Sequence, residues 1–320
     1  CSVRVNYTLP LFDELCFPQL LNMSCKKHTR PHSDRMLIYI VFSSISVLTA
    51  SLNLLVIISI SHFRQLHTPT NLLLLSLAVA DFLVGLPVML LQILLVEPCW
   101  FLGDLVCVLF YVLPCITVNA SVVNMVLISV DRYVAICIPL HYPTKITQKR
   151  VQIFVLLCWI YAVFYSFMIL YDNMKQPGKY NSCYGQCVVN LNIDVDMVLF
   201  FIIPITAIVI LYMRVFVVAV TLQRSVTVTA KKSEMKAART LGVLVAVFLM
   251  CYCPYYCVSI SGYNIIFDSL INGFTLFVIY LNSCLNPVIY AFFYPWFRKS
   301  VKLIVTLEIL QPNSCEANVL

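Results

Sequence analysis

Met36–Ser61 reads MLIYIVFSSISVLTASLNLLVIISIS, 26 residues without an aspartate, glutamate, lysine or arginine. As a helix this stretch rises about 39 Å, more than the ~30 Å of a bilayer's hydrocarbon core. Working outward, Val151–Tyr171 is a second uncharged run of 21 residues, and the apolar pattern recurs at Leu72–Val96, Leu105–Val130, Val195–Leu222, Thr240–Gly262 and Ser269–Phe293. Only 11% of the 320 residues are charged and 61% are hydrophobic, whereas about a quarter of a soluble domain is charged. That balance excludes a soluble enzyme, a nucleic-acid binder and a disordered chain. Backbone amides in lipid must be satisfied within their own segment, so spans this long are helices. The expected fold is an all-α membrane protein, a seven-transmembrane-helix bundle.

Seven spans place the chain ends on opposite sides of the membrane. Of the 21 lysines and arginines, fourteen fall on one side, in the connections around Arg64, Arg132–Arg150 and Arg214–Arg239 and after Arg298. Basic residues mark the cytoplasmic face, so the N-terminus is outside. The five basic residues of the first segment oppose this locally. The expected organisation is therefore an extracellular segment 1–35, a membrane bundle 36–293 and a cytoplasmic part 294–320. Segment 1–35 contains no run resembling a cleavable leader, so insertion is expected to fall to the first span. Tyr294-Pro295-Trp296-Phe297-Arg298-Lys299 and the apolar residues that follow to Leu310 read as an amphipathic helix on the inner leaflet. The clustered inner charge is a lipid contact rather than a nucleic-acid site.

Six of the fifteen cysteines (Cys16, Cys25, Cys99, Cys107, Cys183 and Cys187) fall in or beside outside segments, where disulfides form. The sequons at Asn6 and Asn22 lie there too and are expected to carry glycans. Cys251, Cys253 and Cys257, in a lipid span, read as small hydrophobes rather than a metal site. No paired nucleophile and base marks an enzyme, and no internal repeat marks a transporter.

Charges at membrane depth are costly and mark function. They are few: Asp81, Asp131 with Arg132, and Asp194 with Asp196. Asp131-Arg132-Tyr133 closes the third span. Asp131 can hold the guanidinium at the membrane edge, and Glu234, at the start of the sixth helix, is a second partner, so the pair could serve as a two-state latch.

The spacing of Asn53, Asp81, Arg132, Trp159, Pro204, Pro254 and Asn286-Pro287-Val288-Ile289-Tyr290 resembles the landmarks of rhodopsin-like G-protein-coupled receptors. Cys107, 25 residues before Arg132, fits the outer end of the third helix, about 38 Å away. Further likeness to the trace amine-associated receptors lies in Ser61–Asn71, in Tyr290–Lys299, in Cys183-Tyr184-Gly185-Gln186-Cys187, and in Cys16-Phe17-Pro18 with Asn22-Met23-Ser24-Cys25. The resemblance implies a Cys107–Cys187 bridge and a bridge from Cys183 to an N-terminal cysteine, Cys16 in preference to Cys25. It also implies a plasma-membrane receptor of olfactory neurons that detects amines and signals through a stimulatory G protein. No cofactor is expected beyond an allosteric sodium ion, which the resemblance places at Asp81 with Asn53, Ser121, Asn282, Ser283 and Asn286. A carboxylate with neutral oxygen donors suits such a hard cation.

In most amine receptors an aspartate stands seven residues after the outer cysteine of the third helix. Here that position is Pro114. Asp196, eight residues before Pro204, is expected to replace it, since no lysine or arginine occurs in the outer half of any span and an arriving ammonium would supply the missing charge. The likeness here is to a subset of the family, expanded in fish, with its acid on the fifth helix. Asp194 is about 200° round the helix from Asp196 and is expected to face the mouth. Tyr255, Tyr256, Tyr280 and Tyr111 are expected to line the cavity and offer cation–π contacts. The switch set is Asp131, Arg132, Tyr133, Glu234, Phe248, Tyr252, Pro254, Tyr212, Asn286, Pro287 and Tyr290, with Tyr252 where the class usually has tryptophan. The rival reading is a receptor for a non-amine ligand, because Pro114 removes the main amine determinant.

Overall fold

The computed structural model describes residues 15–20, 23–27, 32–95, 97–191, 193–225, 228–260 and 269–319, without the side chains of 32, 34, 95, 193, 219–225, 228–238, 241 and 269–272. Seven helices among the described residues are long and apolar enough to cross a bilayer. They are α1 (His32–His62), α2 (Pro69–Leu83, continued through Met89–Leu95), α3 (Asp104–Cys137), α4 (Gln148–Ile169), α5 (Ile193–Asp196, continued through Ile203–Ser225), α6 (Val228–Ile260) and α7 (Ser269–Phe293). An eighth helix, α8, spans Pro295–Val305. The sequons at Asn6 and Asn22 lie outside the described residues.

Local chemistry sets several boundaries. Thr68 caps α2 by accepting from the Asn71 N–H, with Pro69 in the first turn, where a missing N–H costs nothing. Thr147 caps α4 in the same way. Two prolines fall in or just after widened π turns. Val84–Val88 carries Pro87, and Met197–Ile202 of α5 precedes Pro204. A π turn is one way a helix absorbs an interruption of its hydrogen-bond ladder. α8 stops at Val305, short of Leu310, because Leu307 takes a left-handed backbone, φ 59°. Its faces divide as expected, with Trp296 and Phe297 buried and Arg298 and Lys299 exposed. Arg298 also donates to the last carbonyls of α7 at Ala291 and Phe292, 2.8 and 3.1 Å.

α3 lies centrally, packed on α2, α4, α5 and α6, while α1 closes against α2 and α7. Polar ties register the bundle: the Trp159 indole of α4 donates to Ser76 of α2 at 3.1 Å. The Ser46 hydroxyl of α1 donates to the Gly85 carbonyl at 2.6 Å. A side chain at Gly85 would stand 2.7 Å from the Ala50 backbone nitrogen, so only glycine allows α1 and α2 this approach. α4 turns Ile153, Leu156, Ile160 and Phe164 outward, the apolar surface that lipid covers. Beyond α8 the tail returns beneath α1. There Ser314 meets the His62 ring at 2.9 Å, Glu316 pairs with Arg64 at 3.3 Å and Val319 is buried.

Candidate functional site: a carboxylate between three helices

The outer face is capped by the N-terminal segment. The Cys25 N–H donates to the Tyr184 carbonyl and the Tyr184 N–H to Met23, 2.8 and 2.7 Å. That register sets Cys25 beside Cys183, Cα atoms 5.0 Å apart, and the two are bridged. Cys16 lies over Gly185, whose φ of +101° and missing Cβ leave room for it, and bridges to Cys99. The expected Cys16–Cys183 pairing is therefore corrected to Cys25–Cys183 and Cys16–Cys99. Spacing along the chain could not show this, because the partner is chosen by how the segment lies against the loop. Cys107 and Cys187 form the third bridge. Mapping of non-reduced peptides is expected to recover Cys16 linked to Cys99 and Cys25 linked to Cys183, and a Cys16–Cys183 peptide would contradict this fold.

Beneath the cap, Asp196 ends the first α-helical turn of α5, just before the π turn. It is neither fully buried nor exposed. Its Oδ2 accepts from the Tyr256 phenol of α6 at 3.0 Å and its Oδ1 from the Tyr165 phenol of α4 at 3.4 Å. Both partners are neutral, and among the described residues Asp196 has no ion pair. Cys115 and Tyr255 lie within electrostatic range of this carboxylate, and Tyr111 and Tyr280 within range of Cys115. Of the four tyrosines singled out in the sequence, Tyr256 bonds Asp196 directly and Tyr255 packs edge-on against Tyr256 at 5.1 Å. Asp194 is exposed and does not join them. Pro114 is buried inside α3, where Thr117 donates to the Leu113 and Pro114 carbonyls.

Sequence reasoning missed Tyr165, Cys115 and Gln92, whose amide donates to the Tyr280 hydroxyl at 3.1 Å. Gln92 had a readable signal, a lone polar group in an apolar run. Tyr165 had none, since it is one of three tyrosines, Tyr161, Tyr165 and Tyr171, near the end of α4.

Deeper, Asp81 is fully buried and accepts from Asn286 at 2.8 Å and Ser121 at 3.3 Å, with Ser283 close by. Asn53 instead donates to the Thr49 and Ser283 carbonyls. Asn282 is buried nearby in sequence on α7 without a hydrogen bond among the described residues. At the inner end, the Arg132 Nε donates to Asp131 at 2.9 Å, and its terminal nitrogen meets Asp131 and Thr70. Asp131 also accepts from Thr70 at 2.9 Å and from Tyr142 at 3.0 Å. Burial pushes the Tyr142 phenol up. Tyr133 packs toward Ile136 and Val215 instead. The Glu234 side chain lies outside those described. Phe248 stacks on Tyr252 at 4.4 Å, Tyr290 is buried beside Tyr294, and the Tyr212 hydroxyl sits over Gly242 of α6.

Residues 52–290 match the seven-transmembrane receptor family of the rhodopsin type. The chain is 38% identical to trace amine-associated receptor 13c of Danio rerio over 327 residues, covering 95% of this chain and 96% of the relative. It is 39% identical to trace amine-associated receptor 9 of Homo sapiens, covering 95% and 94%, and 37% identical to receptor 7d of Rattus norvegicus, covering 95% and 92%. The chain belongs to the trace amine-associated receptors. It is accordingly a multi-pass receptor of the plasma membrane that works through G proteins, and not an enzyme.

Proposed function

We propose that the receptor binds a cationic amine at Asp196 and passes the signal to a stimulatory heterotrimeric G protein, with olfactory neurons as its place of action. The observation that carries the ligand assignment is the uncompensated carboxylate: Asp196 meets two neutral phenols and no cation. A half-buried carboxylate of this kind is stabilised by an ammonium, whose charge-assisted hydrogen bond is about twice as strong as a neutral one. Tyr111, Tyr255 and Tyr280 would supply the aromatic surface for its alkyl groups and charge. The names of the relatives support an amine ligand. Placing the acid on α5 rather than α3 follows from Pro114, and aligns the receptor with the fish-expanded subset.

In this reading the amine favours a state in which α6 swings outward at Pro254, and Arg132 leaves Asp131 for the open groove while Tyr212 and Tyr290 turn inward. The ligand shifts that balance only by its differential affinity for the two states. The same reading gives Asp81 an allosteric sodium ion. The donor set fits: besides Asp81, Ser121 and Asn286, the buried oxygens of Asn53, Asn282, Asn286 and Thr49 make no hydrogen bond among the described residues. Asp81 would hold the ion, which would restrain the helices around it.

The test is a panel of alkylamines set against their neutral alcohol isosteres, in cells expressing the receptor and read by cAMP. Amines are expected to act at concentrations at least about a hundredfold below the alcohols, the scale of a desolvated charge pair. Equal potency of the alcohols would instead favour a non-amine ligand.

A further inference from the structure

Pro254 interrupts the α6 ladder, since proline offers no N–H to the carbonyl four residues back. Tyr256 lies just beyond it, on the outer side. Its ring stacks on Phe201 of α5 at 4.3 Å and its hydroxyl donates to Asp196 at 3.0 Å. Tyr256 thus fastens the outer segment of α6 to α5 through a ring stack and a hydrogen bond, and the acceptor is the carboxylate assigned to the ligand. Tyr165, the other donor, belongs to α4, where its ring packs in one cluster with Tyr161 and Phe200. The two phenols share an acceptor but sit on different sides of it: one on the helix with the proline hinge, the other on a helix without a proline.

We propose that Tyr256 is the trigger of this receptor, a positioning residue through which the charge state of Asp196 reaches α6. Without ligand, the negative carboxylate holds the phenol by a charge-assisted bond and keeps the outer part of α6 against α5. An ammonium that pairs with Asp196 cancels this charge, so the phenol's bond falls to the strength of a neutral one, roughly half. α6 is then freer to turn about Pro254. The inference rests on the reading that Asp196 takes the ligand, but it makes a statement about the ligand-free receptor that can be checked alone.

The experiment compares Tyr256→Phe and Tyr165→Phe with the wild type in the absence of any amine. Each substitution removes one hydroxyl and keeps the ring, so the Phe201 and Phe200 contacts survive. The measurement is basal recruitment of minimal Gα subunits of every class, by energy transfer in intact cells, normalised to receptor at the surface. Tyr256→Phe is expected to raise the basal signal about three- to tenfold, the shift that loss of one hydrogen bond allows, and to raise it more than Tyr165→Phe does. An unchanged baseline in Tyr256→Phe overturns the proposal, as does an equal rise in Tyr165→Phe. An unchanged baseline with an intact alkylamine response would remove the trigger and leave the amine site standing. A raised baseline in a receptor that ignores alkylamines would support the tie and sink the amine assignment.

Discussion

Asp196→Asn is expected to reduce the potency of activating alkylamines by at least roughly a hundredfold, consistent with loss of one partner of a desolvated charge pair. Surface expression should stay unchanged. Asparagine has the same shape: its one acceptor oxygen serves one of the two phenols, and its NH2 can donate to the hydroxyl oxygen of the other. What disappears is the charge. Among the described residues neither obvious substitute replaces it: Pro114 occupies the family's usual position and Asp194 is exposed. Concentration–response curves for cAMP, with surface receptor counted on the same cells, provide the readout. A response at wild-type potency would show that the ammonium is held elsewhere.

Cys107→Ser is expected to remove most receptor from the cell surface. Its bridge to Cys187 closes a separation of 80 residues between the top of α3 and the loop that leads into α5. Loss of a native disulfide typically costs about 2–5 kcal/mol, a large part of the stability of a marginal fold. The rest of that loop is held by Cys25–Cys183 and by the reciprocal bonds of Asn173 with Asn190, 2.8 and 3.0 Å. Those contacts secure its ends and the N-terminal cap, and its middle also meets α3 through the exposed Asn181–Asp104 hydrogen bond, 2.8 Å, a far weaker tie than a covalent bridge. Because α5 begins just past Asn190, a slack loop would also release the turn that carries Asp196. Cys16→Ser should cost less, since Cys99 joins it only to the short connection between α2 and α3. Flow cytometry of an N-terminal tag measures both, and equal surface levels for Cys107→Ser and wild type would contradict the role given to this bridge.

The membrane spans were legible in the sequence because lipid imposes one rule on every residue within it. A run such as Met36–Ser61 has no economical structure except a helix, and the run's length already says that it crosses. The seven spans, the buried Asp131–Arg132 pair and the amphipathic α8 followed from that rule together with composition. Helix ends were less legible. The sixth apolar span starts at Thr240 and Glu234 marks the helix ahead of it, but α6 already includes Val228, because a helix can continue past the membrane where its polar residues are good helix formers.

The site was legible in part. Asp196 stood out as a charge in an apolar setting, and its tyrosines as aromatic groups at the same depth. Its donors depended on which faces α4, α5 and α6 present to one another, and a π turn inside α5 changes that phase by an amount that residue counting does not supply. The N-terminal cysteines teach the same lesson. Six outside cysteines announced disulfides, but Cys25 rather than Cys16 reached Cys183 because backbone bonds laid residues 23–25 along Tyr184. Chemistry that each residue carries alone, its hydrophobicity, charge or thiol, is written in the order of the chain. Who faces whom depends on rotations and registers accumulated over long separations, and only the packed bundle determines those.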